Sequence, residues 1–398
     1  LTDAAHMPAT SLPGAVDYES WLEEADGDFA WAAVEENAAA GLCYTSGTTG
    51  DPKGVLYSHR SNVLHAMTVV APDMLGLSAS DRVMPVVPMF HANGWCLPYA
   101  SALVGAGLVM PGPKLDGPSV LEMIEREGVT FSAAVPTVWL GLLQQLEATG
   151  AGTGPLKRVV IGGSAVPRAI TAAFAQRGVQ VVHAWGMTET SPIGTVCGLK
   201  PEVAGGDAEA MVALQDSQGF PPFTVDMRIV GDDGVEKPWD GTTFGNLQVQ
   251  GPTVTRGYFR ADRDSLTEDG WFETGDVATI DAAGYMRITD RTKDVIKSGG
   301  EWISSIELEN LAVGHPDVAE AAVVAARHPK WDERPLLIVV PRPGRSLDKQ
   351  SLLDFLAPKI AKWWLPDDVV VVPEIPHTAT GKILKTKLRE MYAGHFGA

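Results

Sequence analysis

From about residue 41 to residue 200, short apolar runs alternate with stretches of helical periodicity, and few folds accept that pattern. "DRVMPVVP" (81–88), "LKRVVIGG" (156–163) and "GVQVVHAWG" (178–186) read as strands. "SVLEMIERE" (119–127) and "TVWLGLLQQLEA" (137–148) read as helices. Apolar strands joined through helices predict a largely parallel sheet covered by helices. Ligands of such sheets meet loops at the carboxyl ends of strands, and all three strands end in Gly-, Pro- or hydroxyl-rich segments.

Residues 218–290 change character. "VDMRIVGDDG", "GNLQVQGP" and "GYMRITD" are short alternating strands, punctuated by Asp-Gly turns at 233–234, 240–241 and 269–270. They predict antiparallel sheet forming a small β-barrel. Past Asp290 comes a compact α+β pattern: a helix from Ser304, strands near 318–326 and 336–340, a helix over 349–360 and a strand over 368–372. The polar segment "DRTKD" (290–294) separates the two patterns. The expected division is therefore 1–290 and 291–398.

Lys+Arg 31 against Asp+Glu 49 leaves a net charge of −18 over 398 residues. Such a surface repels nucleic acid and anionic membrane, so an anionic substrate needs a local positive patch. The longest apolar stretch, 100–110, is short and broken by Gly105 and Gly107, so it reads as a buried element and no membrane span is expected. Cys43, Cys96 and Cys197 are odd in number and have no metal-ligand spacing; a reducing cytoplasm is expected. No signal-peptide pattern opens the sequence.

The chemistry sits in five motifs. "TSGTTGDPKG" (45–54) has glycines for close backbone approach, hydroxyl donors and a lysine, all suited to phosphates, though such clusters are often plain turns. It is not a Walker A loop, because Pro52 stands where the second glycine belongs and Gly54 where a hydroxyl would hold Mg²⁺. "HAWGMTETSP" (183–192) closes a strand with Glu189 among hydroxyls, able to hold Mg²⁺ through oxygen, and with Trp185 offering a planar face to a purine. In "GWFETGD" (270–276) a carboxylate at the end of a β segment can accept both hydroxyls of a ribose. "KSGGEWISS" (297–305) and "PHTATGKILKTKLRE" (376–390) each carry a lysine near glycine; taken alone, Lys382 reads as the start of a solvated basic helix, since Lys385, Lys387 and Arg389 follow.

In this order, from about Tyr44 to the C-terminus, the motifs closely resemble those of the adenylate-forming superfamily of acyl-CoA synthetases, luciferases and adenylation domains. The resemblance implies an α/β protein whose large N-terminal domain has helix-covered, mainly parallel sheets plus a small β-barrel, followed by a mobile α+β C-terminal domain. It implies an acid–thiol ligase: a carboxylate attacks the α-phosphate of Mg-ATP to give acyl-AMP and pyrophosphate, and CoA then displaces AMP. Thr45, Ser46, Gly47, Thr48, Thr49, Gly50 and Lys53 would bind the β- and γ-phosphates. Thr188 would contact the α-phosphate and Glu189 the metal. Trp185, with Gly186 and Met187 beside it, would stack on adenine against Gly162, Gly163, Ser164 and Ala165. Asp276 would take the ribose, with Arg291 in the nucleotide site.

Lys382 would bridge the carboxylate and α-phosphate oxygens, and Asp290 would be the hinge about which the C-terminal domain turns between the two steps. Lys297, Gly299, Gly300 and Trp302 would face the CoA tunnel. "PMFHANGWCLPYA" (88–100) resembles bacterial fatty acyl-CoA synthetases and methylmercaptopropionate-CoA ligases, with His91 near the acyl carboxylate and Trp95 and Pro192 in the acyl pocket. Trp95 is either a tunnel gate or core packing beside Phe90 and Pro98.

Three departures stand out. Trp185 occupies a position that is usually Tyr and would trim the acyl pocket, favouring a short or medium acid such as 3-(methylthio)propionate. Asn246 stands where Glu is common. Only 44 residues precede the phosphate loop, far fewer than in full members, so an N-terminal portion, with the homodimer contacts it would carry, is expected to be missing. Competing readings are an adenylation domain feeding a carrier protein and a P-loop nucleotide-binding regulator.

Overall fold

The computed structural model describes residues 3–45, 52–163, 166–201, 214–215, 217–261, 265–299, 301–377 and 383–397. The chain parts into two compact units, Leu1–Ala38 and Ala39–Ala398. Among its described residues the first holds one short helix, α1 (Tyr18–Leu22), started by Asp17, whose carboxylate accepts from Ser20 N at 2.9 Å.

The second unit begins with a hairpin, β1 (Ala39–Tyr44) and β2 (Gly54–Ser58), paired antiparallel on either side of the phosphate-loop motif. Helix α2 (His59–Val70) follows directly, with a reciprocal capping box between Ser58 and Ser61. The predicted strands then form one sheet: β3 (Arg82–Pro85), β4 (Gly107–Leu108), β5 (Phe131–Ala134), β6 (Arg158–Ile161), β7 (Gln180–Gly186) and β8 (Ile193–Val196). Their order is β4-β3-β5-β6-β7-β8, parallel except that β8 returns antiparallel to β7.

Alternate residues of these strands enter separate cores, which is why the runs are apolar throughout. Met84, Val159, Ile161 and Val181 face helices α4 (Gly117–Glu127), α5 (Pro136–Thr149) and α6 (Arg168–Gln176), packed around Trp139 and Phe174. Val83, Val160, Val182 and Ala184 face the other way, with Ala66 and Val69 of α2 and Leu97 and Ala100 of α3 (Leu97–Val104).

A second sheet joins β9 (Asp226–Val230), β10 (Gly245–Gln250), β11 (Phe272–Ile280) and β12 (Met286–Arg291) in the antiparallel order β12-β11-β10-β9. Trp185, near the end of the last parallel strand, and Met187, just beyond it, pack against its apolar core. A third sheet holds β13 (Ile296–Ser298), β14 (Glu301–Ile303), β15 (Val318–His328), β16 (Asp332–Pro341) and β17 (Asp368–Val371). Helices α7 (Ser305–Val313) and α8 (Lys349–Leu356) cover one face, and Leu388 of α9 (Lys385–Tyr392) packs on the other. The predicted helix over 349–360 is shorter, giving way to a 3₁₀ turn at Ala357–Lys359. Pro358 accounts for this, since it lacks the N–H that an α-helix needs there. Among the described residues no helix is long and apolar enough to cross a membrane.

Candidate functional site

The hairpin β1–β2 fixes the ends of the phosphate loop. Thr45 N–H donates to the Lys53 carbonyl at 2.8 Å, and Lys53 N–H donates back to Thr45 Oγ1 at 3.1 Å. Residues 46–51, and with them Ser46, Gly47, Thr48, Thr49 and Gly50, lie outside the described residues. Lys53 Nζ lies 4.7 Å from the centre of the Tyr258 ring, a cation–π contact.

The Tyr258 hydroxyl donates to Glu189 Oε1 at 2.6 Å. Burial, with Glu189 beside it, raises the Tyr258 pKa, so this hydroxyl keeps its proton and acts as a donor. Tyr57 OH donates to the Thr188 carbonyl at 2.6 Å, and its pKa too is raised, chiefly by burial. Thr255 N–H donates to the Glu189 carbonyl at 2.8 Å, and Ser191 Oγ to the Thr253 carbonyl at 2.6 Å. The 3₁₀ turn Thr188–Thr190 that ends the β7 segment is thus held from three neighbours.

His65, fully buried on α2, accepts from Ile193 N at 2.9 Å, and burial lowers its pKa to about 4. Gly186 has no room for a side chain, since a Cβ would lie 1.9 Å from the Pro192 carbonyl oxygen. Tyr57, Tyr258 and His65 were missed by motif reading. They are single residues far away in the chain, Tyr57 on β2, His65 on α2 and Tyr258 in the loop between β10 and β11, and only chain folding brings them to the 188–193 turn.

Asp276 lies within β11, not at a strand end as expected. Gly275, at φ 74°, and a register shift between Val277 and Ala278 make the chain turn there without leaving the sheet. Its cross-strand partner is Arg291, whose Nε donates to Asp276 Oδ1 at 2.8 Å, while Trp185 Nε1 donates to Oδ2 at 2.9 Å. Three sequence-predicted residues from 91 to 106 positions apart in pairs with the first thus form one ring-and-carboxylate group.

Gly162 and Gly163, at the end of β6, lie against Trp95: a Cβ on Gly162 would be 3.3 Å from Trp95 Cη2 and 2.8 Å from the Ala184 carbonyl oxygen. Ser164 and Ala165 lie outside the described residues. Trp95 is buried and sits in a left-handed stretch, with positive φ from Ala92 to Cys96. His91 opens that stretch, its carbonyl accepting from Gly94 N at 3.0 Å. Cys43, two residues before Thr45, donates its thiol to Asn93 Oδ1 at 3.1 Å, tying the acyl-pocket segment to the base of the phosphate loop. Pro192 is buried in the turn.

Lys297 and Trp302 face each other across β13–β14, with Nζ 5.2 Å from the indole centre, and Nζ also reaches Asp232 at 3.2 Å. Gly299 has φ 60° and its N–H donates to the Trp331 carbonyl. Gly300 lies outside the described residues. Asn246 donates to Asp232 at 3.3 Å and accepts from Thr292 Oγ1 at 3.1 Å. A Glu there would set like charge against Asp232, which gives this departure a physical reason.

Asp290 is fully buried. Its Oδ1 accepts from Ser305 Oγ at 3.0 Å and from Arg291 N at 2.7 Å, and Oδ2 accepts from Ser305 N. Burial raises its pKa against the opposing pull of Lys385. Lys385 Nζ contacts Ser305 Oγ and Glu309 Oε1, each at 2.7 Å, and Arg389 pairs with Asp294. Lys385 and Arg389 are therefore not a solvated basic face. Lys382 itself lies outside the described residues.

The fit to a metal rests on Glu189. Its carboxylate is nearly buried at a strand end, beside hydroxyls, and among the described residues no three His, Cys, Asp or Glu side chains gather into a cage. That donor set suits Mg²⁺ carried in on substrate phosphates, which needs only one or two protein carboxylates.

The AMP-binding enzyme family model matches residues 4–259, and the model for the AMP-binding enzyme C-terminal domain matches residues 307–382. The chain is 51% identical over 385 residues to the medium-chain-fatty-acid–CoA ligase of Ectopseudomonas oleovorans, covering 96% of this chain and 70% of that protein. It is 51% identical over 382 residues to the 3-methylmercaptopropionyl-CoA ligase of Ruegeria lacuscaerulensis, covering 96% and 71%. The structure of ATP-bound MatB from Rhodopseudomonas palustris superposes with a TM-score of 0.82 at 27% identity, covering 95% of this chain and 73% of that one.

Proposed function

The chain belongs to the AMP-binding enzyme family, and from that premise we propose that it activates a carboxylic acid as acyl-AMP and transfers the acyl group to CoA. The observation that carries this reading is the convergence of Trp185, Asp276, Arg291 and the Glu189–Tyr258 pair at the carboxyl end of β7. These side chains suit an adenosine and a metal-bound phosphate chain.

In the first step a carboxylate oxygen bonds to the α-phosphorus of ATP, and the bond from that phosphorus to the bridging oxygen breaks, releasing pyrophosphate. Two anions meet, so positive charge and fixed donors in a water-poor site are required. Thr45 and Lys53, at the base of the loop, hold the outer phosphates. Thr188 meets the α-phosphate, and Glu189, its carboxylate fixed by Tyr258, would hold Mg²⁺. When bound, Mg²⁺ neutralises charge on the phosphate oxygens. Asp276 takes the ribose and Trp185 the adenine.

In the second step the CoA thiol, its proton lost to water, attacks the acyl carbonyl and AMP leaves. We place the working boundary at Asp290, between 1–290 and 291–398, with Lys382 serving the first step and the Lys297–Trp302 hairpin the second. The two close relatives named above support a medium-chain fatty acid or 3-(methylthio)propionate as the acid, with His91, Trp95 and Pro192 at the acyl end. The three buried cysteines, none joined in a disulfide, support a reducing compartment, the cytoplasm.

AMP release is to be measured across straight-chain acids and 3-(methylthio)propionate. Lys382→Ala is expected to lower acyl-AMP formation by about 10²–10³ and to spare thioester formation from supplied acyl-AMP. Release of inorganic phosphate in place of AMP overturns the reading, and equal loss of both half-reactions overturns the role of Lys382.

A further inference from the structure

Trp185 makes a contact that stacking on a purine does not call for. Its indole N–H donates to Asp276 Oδ2 at 2.9 Å while Arg291 Nε donates to Oδ1 at 2.8 Å. Asp276 is 3% exposed and sits in the middle of a strand. Two donors on different oxygens fix both the place and the plane of a carboxylate. The indole has little freedom of its own, because it lies over Gly194, where a Cβ would come within 2.3 Å of Trp185 Cζ3. Its edge also packs against the core of the second sheet. The ring, the carboxylate and the guanidinium therefore form one rigid unit drawn from β7, β11 and β12.

A carboxylate accepts the hydroxyls of a vicinal diol well only if its plane is set toward both oxygens. We propose that Trp185 is a positioning residue for the sugar: its indole N–H orients Asp276, and this orientation lets the site distinguish a ribonucleotide from its 2′-deoxy counterpart. This rests on the nucleotide site described under the proposed function and assigns Trp185 a second role there. A phenolic or purely apolar ring at position 185 stacks on adenine but has no ring N–H at this place.

Two substitutions separate the roles. Trp185→Phe keeps an aromatic face and removes the N–H. Trp185→His keeps an N–H in a five-membered ring, with its Nε2 where the indole Nε1 stands, and gives up much of the stacking surface. The readouts are calorimetric affinities for AMP and 2′-deoxyAMP and the KM values for ATP and 2′-deoxyATP. Wild type is expected to favour the ribonucleotide by about 10–10²-fold, the range of a hydrogen bond to a charged group.

In Trp185→Phe that preference shrinks to roughly twofold, with 2′-deoxyAMP affinity nearly unchanged. In Trp185→His both affinities fall together and the preference stays. A Phe variant that keeps the preference, or loses both affinities equally, overturns the proposal. If the Phe variant does not fold, the indole N–H resonance of Trp185, assigned by its loss in Trp185→His, decides: stacked adenine moves it with either nucleotide, AMP should move it clearly further than 2′-deoxyAMP, and equal movement overturns the proposal. A wild-type protein that binds neither nucleotide overturns the proposed function itself.

Discussion

Tyr258 donates its hydroxyl to Glu189 Oε1 at 2.6 Å while its ring lies 4.7 Å beneath the Lys53 ammonium. One side chain therefore links the lysine of the phosphate loop to the carboxylate proposed for the metal. Tyr258→Phe keeps the ring under Lys53 and releases the carboxylate. Losing a hydrogen-bond partner of a metal ligand usually costs about 10–100-fold in metal affinity. The Mg²⁺ concentration for half-maximal acyl-AMP formation should rise by about tenfold at least, with the KM for the acid unchanged. An unaltered Mg²⁺ titration would show that Tyr258 only packs.

Lys385 and Arg389, one turn apart on α9, meet Glu309 and Asp294, whereas Lys387 between them is exposed. Lys385→Met strands Glu309 and Asp290 without their cation in a buried place. The expected loss is about 3 kcal/mol, read as a lower thermal transition. Lys385→Arg should recover much of it. Lys387→Met is the control and should stay within about 0.5 kcal/mol of wild type. Equal effects at 385 and 387 would return both to a solvated face.

His65 gives the protein an acid limit. Its folded pKa of about 4 lies below its ordinary 6.5, so above pH 6.5 it is neutral folded or unfolded and contributes no slope. Between pH 6.5 and about 4 the unfolded chain takes up a proton that the folded chain refuses, and stability falls as pH drops. The full loss is about 3 kcal/mol. Denaturation midpoints of wild type and His65→Gln, compared across pH 7 to 4, should converge toward the acid side. Parallel curves would mean that His65 does not carry this term.

Gly186→Ala would drive a Cβ to within 1.9 Å of a backbone oxygen, which no side-chain rotation can relieve. The β7 end and the 188–193 turn must separate. Nucleotide binding should be lost and the thermal transition should fall by several degrees. Wild-type AMP affinity in this variant would contradict the geometry.

The architecture could be read from the chain because its causes are local. Apolar runs of strand length joined through helical periods permit little but a covered parallel sheet, and Val159, Val160 and Ile161 alternate between its two cores as that requires. Ser304 starts its helix as a cap with Glu307 N bonded to its hydroxyl, again a local matter. The five motifs were visible because phosphate, metal and sugar each demand particular residue types at short spacing.

What the chain could not disclose lies between elements. Tyr57, Tyr258 and His65 have no motif around them, and Lys385 looked like one of several solvated lysines. Each acquires its role from a partner roughly 70 to 131 positions away. Trp185 stood in the sequence as a flat face for a purine, and only the folding of β7 against β11 and β12 turned its N–H onto Asp276. Local pattern determined which surfaces exist. Tertiary packing decided which donors meet which carboxylates, because that depends on where separate strands end in space.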